Sequence, residues 1–216
     1  MAGLIVLLII GGIIVSIFGL VFWYEKKRRE EWQSVAKGLG FTYLQNDNSI
    51  QQTHNCFKIF NQGHGRQATN VIRGGKDGIA FVIADYRYTT GGRKNSSTHY
   101  QTICIVENTN FNIPHFFLRR EIKIFDFLGK MFGGQDINFD EDTNFSNAFV
   151  LQGESEGMVR KLFTKEIRRA FMEFEGSNLQ VEARGNMILI HEGTSIKPME
   201  VKNLMAKAFK IMNIFL

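Results

Sequence analysis

The chain has 216 residues, with 26 Lys and Arg against 21 Asp and Glu, a net charge of +5. That balance excludes the dense basic stripe of a nucleic-acid binder, and two cysteines are too few for a disulfide scaffold. Past its first segment the chain keeps roughly 190 residues, enough to bury a core of its own.

Leu4 to Trp23 is apolar almost without interruption. About twenty such residues at 1.5 Å rise reach roughly 30 Å, the thickness of a bilayer hydrocarbon core. Residues 1–24 therefore read as a transmembrane anchor, with the lipid bilayer as partner of residues 4–23. A secretory signal would carry a basic start, a shorter apolar core and a small-residue cleavage site. Here Met1-Ala2-Gly3 is uncharged in its side chains, and Trp23-Tyr24 closes the run with interfacial aromatics. No Lys or Arg precedes Lys26, and Lys26-Lys27-Arg28-Arg29 follow in succession. The positive-inside rule then puts the N-terminus outside and the body of the chain in the cytoplasm, at the inner (plasma) membrane. Gly12 and Ser16 are small residues four apart, with Gly19 near the same face. That spacing lets two membrane helices approach, or reflects the ordinary frequency of glycine in such helices.

Residues 25–40 form a basic juxtamembrane helix. Trp32, Val35, Ala36 and Leu39 share one face, and Gly38 and Gly40 end it. A third segment, 41–216, is a cytoplasmic domain, with an internal boundary near residue 145 left open. Phe41 to Leu44 predicts a strand, 46–55 a polar connection, Phe57 to Phe60 a short strand, and Gln67 to Arg73 another. Ile79 to Ala84 is apolar on both faces, so it belongs at the centre of a sheet with a layer on either side. It continues through Asp85, Tyr86, Arg87 and Tyr88, turns over a polar loop at 89–97, and returns as His99 to Val106, a long hairpin with a basic tip. Pro114 to Leu118 reads as an edge strand, because proline cannot donate to a ladder. Glu121 to Phe132 reads as a short helix or irregular, Gly133 to Asp142 as a loop, and Ala148 to Gln152 as a strand. Glu156 to Phe174 predicts one amphipathic helix. Leu179 to Ala183 and Met187 to His191 predict a hairpin, and Pro198 opens a last helix. Strands and helices do not alternate regularly, so the fold class is α+β: a transmembrane helix, then a mostly antiparallel sheet with helices on one side.

Candidate chemistry is sparse. Cys56 follows a polar His-Asn pair and Cys104 lies in an apolar run, which favours free thiols in a reducing compartment over a disulfide. His54, Cys56 and His64 lack the paired spacing of a zinc site. Asp136, Asn138 and Asp140 begin like a calcium loop, but the sixth position is Glu141 where glycine is required and the twelfth is Asn147. No metal and no cofactor is expected. Asp85 and His99 lie on strands that should pair, so they are the weak candidates for an acid–base pair across the ladder; an ordinary cross-strand polar contact is the competing account. Arg87, Arg93, Lys94 and Gln101 are candidates for binding a ligand or anion. Gly91-Gly92-Arg93-Lys94-Asn95 offers flexible amides and two cations, without the ending of a P-loop.

Several spaced motifs then form a pattern: Asn70-Val71-Ile72-Arg73-Gly74, Asp85-Tyr86-Arg87-Tyr88-Thr89-Thr90-Gly91, Lys94-Asn95-Ser96, Thr98-His99-Tyr100-Gln101-Thr102, and Gly133-Gly134-Gln135-Asp136-Ile137 with Phe139-Asp140-Glu141. From Trp32 onward the chain resembles a family of uncharacterised bacterial single-pass membrane proteins, each with an N-terminal helix, a basic junction and one following domain. The resemblance implies a bacterial membrane protein and implies no activity, so no catalytic residue is carried over. The expected function is a membrane-tethered cytoplasmic interaction domain without evident enzymatic activity, binding a protein partner, a second copy or the membrane surface. The alternative is a membrane-bound hydrolase or transferase using the Asp85–His99 hairpin; enzymatic activity is left open.

Overall fold

The computed structural model describes residues 2–92, 94–121 and 136–216. Helix α1 runs unbroken from Ala2 to Leu39, about 57 Å at 1.5 Å per residue. Its outer part is apolar on every side and exposed on every side, from Leu7 to Tyr24. A helix apolar all round needs an apolar surrounding, and this one is long and apolar enough to cross a membrane, with none of the span buried in the protein. The same helix then changes character. Trp32 and Ala36 are buried, and Val35 and Leu39 pack beside them, as the spacing predicts. The apolar span is thus continuous with a helix that belongs to the core. Gly40, at φ 70°, ends it: its N–H reaches the Lys37 carbonyl and the Phe41 N–H reaches the Ala36 carbonyl, the paired closure that a left-handed residue after a helix allows.

Eight strands follow: β1 Thr42–Asn46, β2 His64–Lys76, β3 Ile79–Thr90, β4 Ser97–Asn108, β5 Ile113–Arg120, β6 Phe149–Gly153, β7 Gln180–Gly185 and β8 Met187–His191. They form one sheet in the order β1-β2-β3-β4-β8-β7-β5-β6, and every neighbouring pair is antiparallel. Strands from both sides of residue 145 share it. The β2–β3 turn is Asp77-Gly78, at φ 55° and 80°, the conformation of a tight hairpin matched to strand twist. The β7–β8 turn is Gly185-Asn186, opening at φ 60°.

Both faces of the sheet are covered, as the doubly apolar β3 requires. On the first face Ile72, Ile83, Cys104 and Val106 meet the end of α1 and helices that lie later in the chain. On the second face Val71, Val82, Ala84, Ile103 and Ile105 meet the segment 49–61. That segment corrects the polar connection and short strand predicted there. It holds a short helix, α2 (Ser49–Thr53), and a 3-10 turn at Lys58–Asn61. Ile50, Phe57, Ile59 and Phe60 are its buried apolar residues: four side chains spread over two turns, too few for a periodic signal.

Two further predictions change. Pro114 to Leu118 is not at an edge: β5 lies between β7 and β6. Pro114 is tolerated because pairing with β6 begins only at Phe116, and the register to β7 shifts between Ile113 and Phe116. The helix predicted over Glu156 to Phe174 is two, α4 (Glu156–Leu162) and α5 (Lys165–Phe171). Helix α3 (Thr143–Ala148) precedes them, and α6 (Val201–Ile214) closes the chain behind the Pro198–Glu200 turn. The break at Phe163-Thr164 lets Phe163 turn inward, edge-on to Phe116 at 4.9 Å and stacked on Phe171 at 5.6 Å. Beyond Glu121, the stretch predicted to Phe132 lies outside the described residues, as do 133–135 of the following loop.

Candidate functional site

The one place where the span, the sheet and a later loop converge is Asp85. It follows the apolar run of β3, on the face that looks toward α1. Arg28 donates to both carboxylate oxygens, Nε to Oδ2 at 2.9 Å and Nη2 to Oδ1 at 2.7 Å, a two-point geometry that fixes direction as well as distance. The same Nη2 donates to the Ile196 carbonyl at 2.9 Å. Asn70 Nδ2 and Thr102 Oγ1 donate to Asp85 at 3.0 and 2.9 Å, and the Ile196 N–H donates to Thr102 Oγ1 at 3.1 Å. Tyr43 donates to Asn70 Oδ1 at 3.0 Å. α1, β2 and β4 therefore meet on the carboxylate of β3, and β1 and the loop before α6 hold its partners in place.

Local backbone explains how Asn70 arrives there. Between Thr69, opposite Asp85, and Ile72, opposite Ile83, β2 carries one extra residue. Asn70 takes the left-handed conformation, φ 49°, which asparagine tolerates better than most residues. The bulge turns its amide toward Asp85, the kind of re-aiming that bulges provide.

Beside this hub a cleft of about 870 Å³ opens between α1 and the ends of β2, β3 and β4. Leu20, Val21 and Tyr24 line it from the span; Arg28, Arg29, Asn70, Asp85, Arg87 and Lys197 line it from the domain side. Tyr100 stands exposed among its lining residues. Arg87 is held by Gln67, whose Oε1 accepts from Nε at 2.9 Å and Nη2 at 2.7 Å.

Asp85 and His99 do not meet. Asp85 is opposite Thr102, while His99 is opposite Tyr88 and lies on the other face of the sheet. His99 stacks on Tyr88 at 4.9 Å, and its Nε2 is 2.9 Å from Thr90 Oγ1. The acid–base pair is corrected on simple parity: side chains three positions apart along a paired ladder face opposite ways. Gln101 also sits on that second face, buried. Among the described residues, Arg87 is thus the one predicted anion-binding residue in the cleft. Lys94 stands exposed at the hairpin tip, and Arg93 lies outside the described residues.

The other candidate groups are occupied elsewhere. His54 is buried, Nδ1 3.0 Å from the Ile50 carbonyl and Nε2 2.9 Å from Glu107 Oε1. His64 is exposed in β2. Cys56 and Cys104 are free thiols packed against opposite faces of the sheet; burial pushes the Cys56 thiol up from its ordinary value. Among the described residues no three His, Cys, Asp or Glu side chains are grouped as metal ligands. Asp142 caps α3 through the Phe145 N–H at 3.3 Å and pairs with Arg168 at 2.8 Å, which holds its carboxyl below the usual range.

Arg28, Asn70, Thr102 and Lys197 were not legible as site residues. Arg28 reads as one of four topogenic cations, and nothing local separates it from its neighbours. Asn70 and Thr102 left a faint signal, as polar residues near the ends of apolar runs.

No family model and no curated protein sequence matches the chain. Among solved structures, the crystal structure of the mycobacterial trehalose monomycolate transport factor A, TtfA, matches with a TM-score of 0.61. The match spans 87% of this chain and 93% of that one at 11% identity. At that identity the likeness shows the fold.

Proposed function

We propose that this is a bacterial single-pass membrane protein with its N-terminus outside and its domain in the cytoplasm, working without catalysis as an interaction domain held at the bilayer surface. The observation that carries the reading is the Arg28–Asp85 bridge. It docks the membrane helix on the sheet only five residues beyond Trp23, about 8 Å along the helix. The domain is therefore not a body on a loose tether. Its cleft and the adjoining Tyr100 are held beside the headgroup layer, where a protein partner, a second copy of the chain or the membrane surface itself would meet it. The four cations at 26–29 support the orientation. The likeness in fold to a transport factor agrees with a binding role.

Two measurements test this. A C-terminal green fluorescent protein fusion should fluoresce and an alkaline phosphatase fusion should be inactive; the reverse pattern overturns the orientation. A photoreactive residue at Tyr100 in intact membranes should give a discrete cross-linked band that disappears in Asp85→Ala. A smear unchanged by that substitution counts against a docked interaction surface.

A further inference from the structure

The cleft is amphipathic, and its lining combines the two kinds of surface that one class of molecule requires. Leu20, Val21 and Tyr24 line it where α1 leaves the hydrocarbon layer; Arg29, Arg87 and Lys197 supply its cations, and Arg87, two residues past Asp85 in β3, lies on the span side of the Arg28–Asp85 bridge. Leu20 and Arg29 are nine residues apart, about 13 Å along the helix, which exceeds the 5–8 Å or so of one headgroup layer. The cleft thus reaches from the last apolar turn through the headgroups into the domain.

Its charge balance is also specific. The lining holds four cations, Arg28, Arg29, Arg87 and Lys197, and two carboxylates, Glu25 and Asp85. Arg28 and Asp85 neutralise one another. Among the described residues no carboxylate lies within ion-pair reach of Arg29, Arg87 or Lys197. Arg87 is oriented by a neutral amide, which leaves its charge uncompensated. Three cations against the single carboxylate of Glu25, next to an apolar wall, suit a phosphate attached to an acyl chain.

We infer that the cleft binds the phosphate headgroup of an anionic phospholipid, with Arg29, Arg87 and Lys197 at the phosphate and Leu20 and Val21 along the first methylenes. This deepens the membrane-surface reading above, and it uses the docked geometry of α1, not the orientation of the chain. The site would let the protein hold a single lipid out of register with the bilayer, or use that lipid to set its own height. Each cation near an anionic surface contributes about fivefold in affinity, and salt weakens that contribution.

The test is native mass spectrometry of the full-length protein released from micelles containing equal phosphatidylglycerol and phosphatidylcholine. Wild type should retain one phosphatidylglycerol in preference to phosphatidylcholine. Arg87→Gln with Lys197→Gln should lose that preference roughly 20-fold, Arg87→Lys should keep most of it, and Glu25→Gln should strengthen it. Lys161→Gln with Lys165→Gln, exposed on α4 and α5, should leave it unchanged. Equal retention of both lipids by wild type overturns the inference, as does a preference that survives in the double variant. Glycerol phosphate added at the lipid's concentration should not displace the adduct; displacement would assign the site to a soluble phosphate ester and overturn the lipid source. Because the protein is in detergent, a negative result here is distinct from a failed topology assay.

Discussion

The sheet has two covers, and each is fastened by a charge cluster of a different kind. On the first face α1 is held by Arg28 on Asp85, with Asn70 and Thr102 completing the carboxylate's hydrogen bonds. On the second face the segment 49–61 is held by Glu182. Its oxygens accept from the Lys58 N–H at 3.0 and 3.3 Å, while His115 Nε2 lies 2.8 Å away. His115 Nδ1 is 2.9 Å from Glu154, which also pairs with Arg184. A guanidinium keeps its charge at every physiological pH. An imidazole between two carboxylates does not. The membrane-side fastening is therefore permanent, and the other one titrates.

The largest expected effect breaks the permanent fastening. Asp85→Ala removes the acceptor for Arg28, Asn70 and Thr102 and leaves a part-buried guanidinium without its counter-charge, at a cost of about 3 kcal/mol. Thermal unfolding of the full chain should fall by roughly 10 °C. Replacing both partners, Arg28→Met with Asp85→Leu, should recover most of that loss. If the double variant is as unstable as the single one, the bridge is not what holds α1.

The second effect separates the covers. Glu182→Ala removes the acceptor for Lys58 and His115 and should cost about 2 kcal/mol. Its local signature is faster maleimide labelling of Cys56, which is half-buried within the same segment. Asp85→Ala should leave that labelling rate nearly unchanged under native conditions. Equal acceleration in both variants would mean that the two faces open together.

The third is a pH dependence. Burial alone would lower the His115 pKa, but the hydrogen bonds its ring N–H groups donate to Glu182 and Glu154 outweigh that cost, so its pKa is raised above the ordinary 6.5. Between 6.5 and that raised value the folded protein binds more protons than the unfolded chain. Stability is full below 6.5 and falls as pH rises through the folded pKa. Lys58, lowered to about 8, acts with the opposite sign around and above that value. His191, buried and lowered to about 4, loses stability as pH falls through 6.5, also the opposite sign. Chemical unfolding at pH 6.5, 7.25 and 8 should therefore show a decline that is carried by His115 and is absent in His115→Gln. The same decline in His115→Gln would point to another group. The smallest effect is the control: Lys26→Ala breaks an exposed pair with Glu30 at 4.0 Å and should not move the unfolding temperature measurably.

Legibility in the sequence followed the length of each signal. The face of Trp32, Val35, Ala36 and Leu39, the central β3–β4 hairpin and the Gly185-Asn186 turn were all readable, because each is a period or a turn repeated over adjacent residues. The segment 49–61 was not, because four buried side chains within 11 residues fit no period. Pro114 misled for a similar reason: a missing donor reads as an edge, but a bulge and a short neighbouring strand satisfy it equally well. In the candidate site only Asp85 and Arg87 were singled out in advance. Their partners come from positions 57 residues upstream, 17 residues downstream and 110 or more downstream, as with Arg28, Thr102 and Ile196.

By itself, then, the order of amino acids determined the apolar span, the basic junction after it, and an antiparallel α+β body with a doubly buried central strand. Those are properties of neighbouring residues, and hydrophobic patterning and turn chemistry are local. Only the tertiary structure decided that the span and the sheet are locked together, that Asp85 faces Arg28 and not His99, and that three uncompensated cations share a cleft with the last turn of the membrane helix. The reason is parity and distance. Which face a strand residue shows depends on register and bulges, and an ion pair 57 residues apart in the chain exists only once the sheet has brought its ends together.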